Sequence, residues 1–170
     1  MHRLILAALL CLPLALSAQK SKGDFPKHEI GLNIHTQYGL NGAELTYKLF
    51  LSPKNAVRFT VGFDNSFINS YSTSIGLRHT LYKNDKFELS TGFDLNYRQL
   101  KYGKFTGERG DQKTARLDIP LELSYNLGKN FYITTSLSLG LDLYDNYNGG
   151  ILNKISNPPM KLNLGISKRF

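Results

Sequence analysis

The stretch FYITTSLSLGLDLY, Phe131 to Tyr144, alternates without a break. Phe131, Ile133, Thr135, Leu137, Leu139, Leu141 and Leu143 form one set, and Tyr132, Thr134, Ser136, Ser138, Gly140, Asp142 and Tyr144 form the other. Successive side chains of a β-strand point to opposite faces, so the stretch predicts a strand with one apolar and one polar face. The apolar face must either fill the inside of the molecule or meet an apolar solvent. The fold turns on which of these holds.

The same period recurs along the chain. Runs at 28–38, 42–51, 55–64, 71–82, 86–98, 113–127, 129–144 and 160–170 alternate, and no stretch after residue 27 has a helical period. Eight long strands predict an all-β protein, an eight-stranded antiparallel up-and-down transmembrane β-barrel. The connections support this. SPKN, KNDK and LGKN are tight turns built from Pro, Gly, Asn and Asp, after the second, fourth and sixth strands. Residues 65–70, 99–112 and 145–159 are longer connections, and only the one near Gly39–Asn41 is short on that side. Short turns at one end and long loops at the other are the pattern of barrels that cross an outer membrane.

Residues 1–18, MHRLILAALLCLPLALSA, read as a signal peptide. Arg3 precedes an apolar run from Leu4 to Leu16, and Ser17 and Ala18 supply the small residues for cleavage. Residues 19–27 form a short lead and residues 28–170 the barrel domain. Cys11, the single cysteine, lies within the signal segment behind Leu10, which does not suit lipidation, so the exported chain is expected to hold no disulfide. The net charge of +8 does not by itself indicate nucleic acid, because no nucleic-acid-binding motif accompanies it and the chain is read as exported.

The polar stripe decides which face is inside. It carries Glu29, Glu44, Asp64, Glu88, Asp94, Asp118, Glu122 and Asp142 against Lys48, Arg58, Arg78, Arg98, Arg116, Lys161 and Arg169. Eight acids thus meet seven bases. Five of the bases are arginine, whose planar fork suits desolvated pairs with carboxylates. Glycines at 31, 62, 92, 140 and 165 punctuate the same stripe. A solvent face gains nothing from glycine, whereas a narrow lumen needs the room. The stripe therefore predicts an interior, with the apolar stripe toward lipid. The expected lumen network is Glu44, Arg58, Arg78, Glu88, Asp94, Arg98, Arg116, Asp118, Glu122 and Asp142. Pro120 falls on the inward stripe and predicts a local bulge. The aromatics at stripe ends predict two interfacial girdles: Phe87, Tyr125, Phe131 and Phe170 at the turn end, and Phe63, Tyr71 and Tyr97 at the loop end.

With these residues in view, the chain resembles the small eight-stranded outer-membrane barrels of the OmpA/OmpX-like group, and in particular the outer membrane protein beta-barrel family of Bacteroidota, whose signals often end in SAQ as residues 17–19 do here. The C-terminal NLGISKRF resembles the assembly signal of that group at Asn163, Gly165 and Phe170, and departs from it at Lys168. The resemblance covers about residues 28–170. It implies an outer-membrane location and recognition of the last strand by the barrel-assembly machinery. It does not imply a particular activity.

Chemistry is sparse. His28, His35 and His79 have no metal-ligand spacing, and no nucleotide or phosphate loop occurs, so neither metal nor cofactor is expected. A lipid A deacylase of this architecture would need a His–Ser pair facing lipid, but His79 is followed by Thr80 and Leu81. The functional expectation is a monomeric, non-enzymatic outer-membrane barrel with a plugged, charged lumen, its long loops extracellular and its short turns periplasmic. The alternatives are a lipid A-modifying barrel enzyme and a secreted lipocalin-like carrier. Lys101, Lys104, Arg109 and Lys113 are expected to contact the phosphates of lipopolysaccharide from the loop between strands five and six.

Overall fold

The computed structural model describes residues 25–37, 40–65, 68–102, 111–145 and 160–170. They form eight strands: β1 His28–Gln37, β2 Leu40–Phe50, β3 Asn55–Asn65, β4 Ile68–Lys83, β5 Phe87–Tyr102, β6 Asp111–Gly128, β7 Phe131–Asp145 and β8 Met160–Arg169. Each strand pairs antiparallel with the next, and β8 pairs with β1 to close the barrel. Closure leaves no strand edge with unpaired backbone groups. The proposed signal segment and most of the lead lie outside the described residues.

The strands at the loop end run further than the alternation reached. β4 begins at Ile68, β5 continues to Tyr102, and β6 begins at Asp111 with Lys101 opposite Asp111. Polar residues there carry no period-2 signal. Backbone pairing does not need one, because every N–H and C=O gains a partner whatever the side chain.

The three short turns follow from their residues. In β2–β3, the Ser52 hydroxyl accepts from the backbone N–H of Lys54 at 3.3 Å and of Asn55 at 3.1 Å. In β4–β5, the Asn84 side-chain oxygen accepts from Lys86 N–H at 2.9 Å and Phe87 N–H at 2.6 Å. The β6–β7 hairpin has two central residues, Lys129 and Asn130, at φ 52° and 64°. Positive φ at both positions matches the twist of the flanking strands. Gly128 precedes them at φ 98°, a conformation that favours glycine. Each turn is also tied to the strand beyond it: Lys54 C=O accepts from Thr80 N–H, Lys86 C=O from Asn126 N–H, and Asn130 C=O from Arg169 N–H, at 2.7–2.9 Å.

Pro120 does not sit in a bulge. The β5–β6 register is the same on both sides of it, Thr91 opposite Leu121 and Asp94 opposite Asp118, so no residue is inserted. The ladder is instead interrupted over Gly92–Phe93 and Ile119–Pro120, because proline has no N–H to give. The Thr91 hydroxyl donates to the Pro120 carbonyl at 2.8 Å. Opposite this gap Gly92 presses on β4, where a Cβ would lie 1.9 Å from the Leu77 carbonyl oxygen. The register shifts fall elsewhere, at Thr80/Tyr82, Ala115/Arg116 and Asn126/Gly128. The second of these affects the stretch read first. Leu143 becomes an extra residue, Tyr144 pairs with Ala115, and its side chain is exposed outside instead of continuing the polar stripe.

The two faces are inverted relative to a water-soluble protein. The buried residues are overwhelmingly charged or hydroxylated, with Ala56 and Tyr132 as the buried hydrophobic ones and Pro120 enclosed beside them. Leu32, Ile34, Ile75, Leu95, Leu121, Leu141 and Leu164 stand exposed all around the wall. A lipocalin-like carrier would need the apolar stripe inside. A continuous apolar exterior on a closed barrel suits hydrocarbon as its solvent. The girdle residues pair as rings, Phe63 with Tyr71 at 5.6 Å and Phe87 with Tyr125 at 5.0 Å between centroids.

Candidate functional site

Alternation sends charges inward from seven of the eight strands, and closure brings them together. At the turn end, Arg169 of β8 donates through Nε to Glu29 of β1 at 2.5 Å and through Nη1 and Nη2 to both oxygens of Glu88 of β5 at 2.7 and 3.0 Å. Its guanidinium lies between the rings of Tyr132 and Phe50, 4.1 and 4.9 Å from their centroids. Lys48 of β2 links Glu29, at 3.0 Å, to Glu122 of β6, with which it makes a short contact. Arg78 of β4 grips Asp94 of β5 bidentately at 2.8 and 2.5 Å and reaches Glu122 at 3.8 Å. Arg58 of β3 stands among Asp94, Glu44 and Glu122 at 3.6–3.9 Å. Glu44 in turn holds Lys161 closely and has His35 at 3.5 Å. These contacts form one continuous chain of ion pairs along the lumen. A smaller group, Arg116 to Asp118 at 2.5 Å with Asn96 on the same carboxylate, lies toward the loop end.

The inward face of β7 is small: Thr134, Ser136, Ser138 and Gly140. It leaves room for the long cations of the facing strands. A cavity of about 10 Å³ remains between Glu29, Lys48, Glu122, Thr134 and Ser136, space for about one water. Taking an ion out of water costs several kcal/mol unless it is paired. Glu29, Glu44, Glu88, Asp94, Asp118 and Glu122 are buried against Lys48, Arg58, Arg78, Arg98, Arg116 and Arg169, six acids against six bases, so the interior is close to neutral.

Of the ten residues expected in the lumen, nine are buried there. Eight of these are joined in the ion pairs described above. Arg98 approaches Ser70 at 3.4 Å. Asp142 is the tenth. It faces Arg116 in register, but its side chain is exposed, because it sits at the register shift near the end of β7, where the barrel mouth meets solvent. Glu29, Lys48, Lys161 and Arg169 lie on the predicted polar stripe but outside the predicted network, and the structure puts them at its centre. Glu29 and Lys48 face each other on neighbouring strands, but the other partners are 74–140 residues away, and nothing in the sequence around these residues signals them. Among the basic loop candidates, Lys104 and Arg109 lie outside the described residues, as does the side chain of Lys101. Lys113 lies within β6, opposite Gln99, rather than in a loop.

On the outer wall, His79 Nδ1 lies 2.8 Å from Asn55 Oδ1. No group of three or more His, Cys, Asp or Glu able to hold a metal ion occurs among the described residues.

The architecture matches solved membrane barrels. The N-terminal β-barrel domain of Pseudomonas aeruginosa OprF aligns at a TM-score of 0.69 with 14% identity, covering 84% of this chain and 96% of that one. Ail, the attachment invasion locus protein of Yersinia pestis, aligns at 0.56 with 14% identity over 86% and 100% of the two chains. A major outer membrane protein from Thermus thermophilus aligns at 0.54 with 15% identity over 85% and 98%. At such identities the likeness establishes the fold, a small eight-stranded outer-membrane-type barrel. No curated protein matches the chain. A family model described as a protein of unknown function, DUF481, matches residues 40–150, from the start of β2 to beyond β7. With well over half of its length so matched, the chain belongs to the DUF481 family.

Proposed function

We propose that this chain is an integral outer-membrane protein, a monomeric and non-enzymatic barrel whose lumen is plugged by its own charges, and that it serves the envelope as a structural element or through contacts made by its long connections. One observation carries the reading: the inside-out wall encloses a near-neutral network of ion pairs contributed by seven of the eight strands. Eight strands enclose only enough space for side chains to fill. In this reading the long connections face the exterior and the short turns the periplasm. Lipopolysaccharide phosphates contact Lys101, Lys104, Arg109 and Lys113, and the assembly machinery engages β8 with Phe170.

Two measurements test the proposal. The protein is expected in the outer-membrane fraction, and its unboiled form is expected to migrate differently from the boiled form on a gel. In planar bilayers the purified barrel is expected to pass little or no ion current. Stable, large single-channel steps would overturn the plugged lumen and favour a pore.

A further inference from the structure

The turn end of the barrel carries a ring of exposed lysines. Lys27 precedes β1, Lys54 lies in the β2–β3 turn, Lys83 and Lys86 flank the β4–β5 turn, Lys129 lies in the β6–β7 turn, and Lys168 sits near the end of β8. All six are exposed. Among the described residues, Asp85 is the one acidic side chain exposed at that end. Lys83 also reaches the buried Glu88 at 3.4 Å. Three of the six are fixed in the same way: the backbone carbonyls of Lys27, Lys54 and Lys86 accept from the N–H of Phe50, Thr80 and Asn126 on the following strand, at 2.7–2.8 Å. The carbonyl of Asn130, next to Lys129, accepts from Arg169 in the corresponding place. The backbones that carry these lysines are thus held at successive stations around the rim by the fold itself.

Two of these stations lie next to the aromatic girdle. Lys168 lies over the Phe131 ring at 5.0 Å, and the Phe87–Tyr125 pair stands beside the β4–β5 turn. Resting on the proposed membrane location, we infer that this rim binds the phosphates of anionic phospholipids in the leaflet at the turn end. The geometry favours a lipid annulus over a docked protein, because the charges encircle the barrel instead of forming one patch. The residue type agrees. Lysine is a compact charge on a flexible apolar stem that lies along hydrocarbon and lifts its head to the interface. The centre of the same end adds no free charge, since Arg169 is satisfied by Glu29 and Glu88.

The test uses the full barrel in vesicles of phosphatidylcholine and phosphatidylglycerol at nine to one. Folding is read first by gel migration without boiling. The barrel is then recovered in mild detergent, and its retained lipids are counted by native mass spectrometry. The variant K54Q/K86Q/K129Q removes three exposed turn lysines whose side chains make no ion pair among the described residues. Each lysine at an anionic surface is expected to change binding roughly fivefold. Wild type should therefore retain phosphatidylglycerol above its bulk share at low salt, the variant should lose roughly fivefold of that enrichment at each of the three altered stations, and 1 M salt should erase the difference. Retention at the bulk ratio by wild type, or equal enrichment by both proteins at low salt, overturns the inference. If wild type instead binds purified cell-wall sacculi through the same lysines and shows no preference for phosphatidylglycerol, the rim belongs to the wall and the lipid assignment fails. A chain that does not insert at all refutes the membrane reading itself, an outcome the gel distinguishes.

Discussion

Arg169→Met tests whether the lumen is held by paired charges. Arg169 is 2% exposed and bonds three carboxylate oxygens. Removing one partner of a buried pair costs about 3–5 kcal/mol, because the charge left behind stays desolvated. The structure narrows this range. Glu29 keeps Lys48 at 3.0 Å and is not stranded. Among the described residues Glu88 keeps Lys83 at 3.4 Å, a side chain 45% exposed, whose attraction solvent screens. One stranded carboxylate instead of two puts the electrostatic loss near 3 kcal/mol. Losing the cation–π contacts to Tyr132 and Phe50 adds about 1 kcal/mol. The expected loss is therefore about 4 kcal/mol. The assay is urea unfolding from lipid vesicles, followed by gel migration and by tyrosine emission, since the chain has no tryptophan. Glu88→Gln added to Arg169→Met should recover more than half of the loss. A single variant within about 1 kcal/mol of wild type would mean that water in the lumen screens these charges. An unrecovered double variant would assign the loss to packing and not to charge.

Leu121→Arg places a charge on the outer wall, where Leu121 is half exposed, and should destabilise the membrane-inserted barrel by about 2–4 kcal/mol; equal stability in vesicles together with better solubility in water would refute the face assignment. Gly92→Ala forces a Cβ to within 1.9 Å of the rigid Leu77 carbonyl and should cost about 1–3 kcal/mol in the same unfolding assay, whereas a neutral result would mean that β4 and β5 separate freely there. Replacing Lys101, Lys104, Arg109 and Lys113 together with glutamine should leave folding unchanged and weaken lipopolysaccharide binding at low salt, the two proteins converging at high salt; equal binding at low salt would remove these residues as the contact.

The sequence by itself determined the strands, their number and their faces. Period-2 alternation is local and needs no knowledge of the partner strand, and the arginine- and glycine-bearing stripe already told inside from outside. Turn chemistry was equally local: the side chains of Ser52, Asn84 and Asn126 accept from backbone N–H groups within three residues. Strand ends were not legible, because the extensions of β5 and β6 rest on backbone pairing to which side-chain polarity is indifferent. Nor was the register shift at Ala115/Arg116, which turned Tyr144 outward and left Asp142 at the mouth; a single inserted residue reverses every later side chain of a strand. Which charges distant in sequence meet was decided only by closure. Lys48 and Glu122 lie 74 residues apart, Arg169 and Glu88 81, and Lys161 and Glu44 117. Composition shows that acids and bases balance, but only the three-dimensional wall, curved until β8 meets β1, sets each carboxylate opposite its cation.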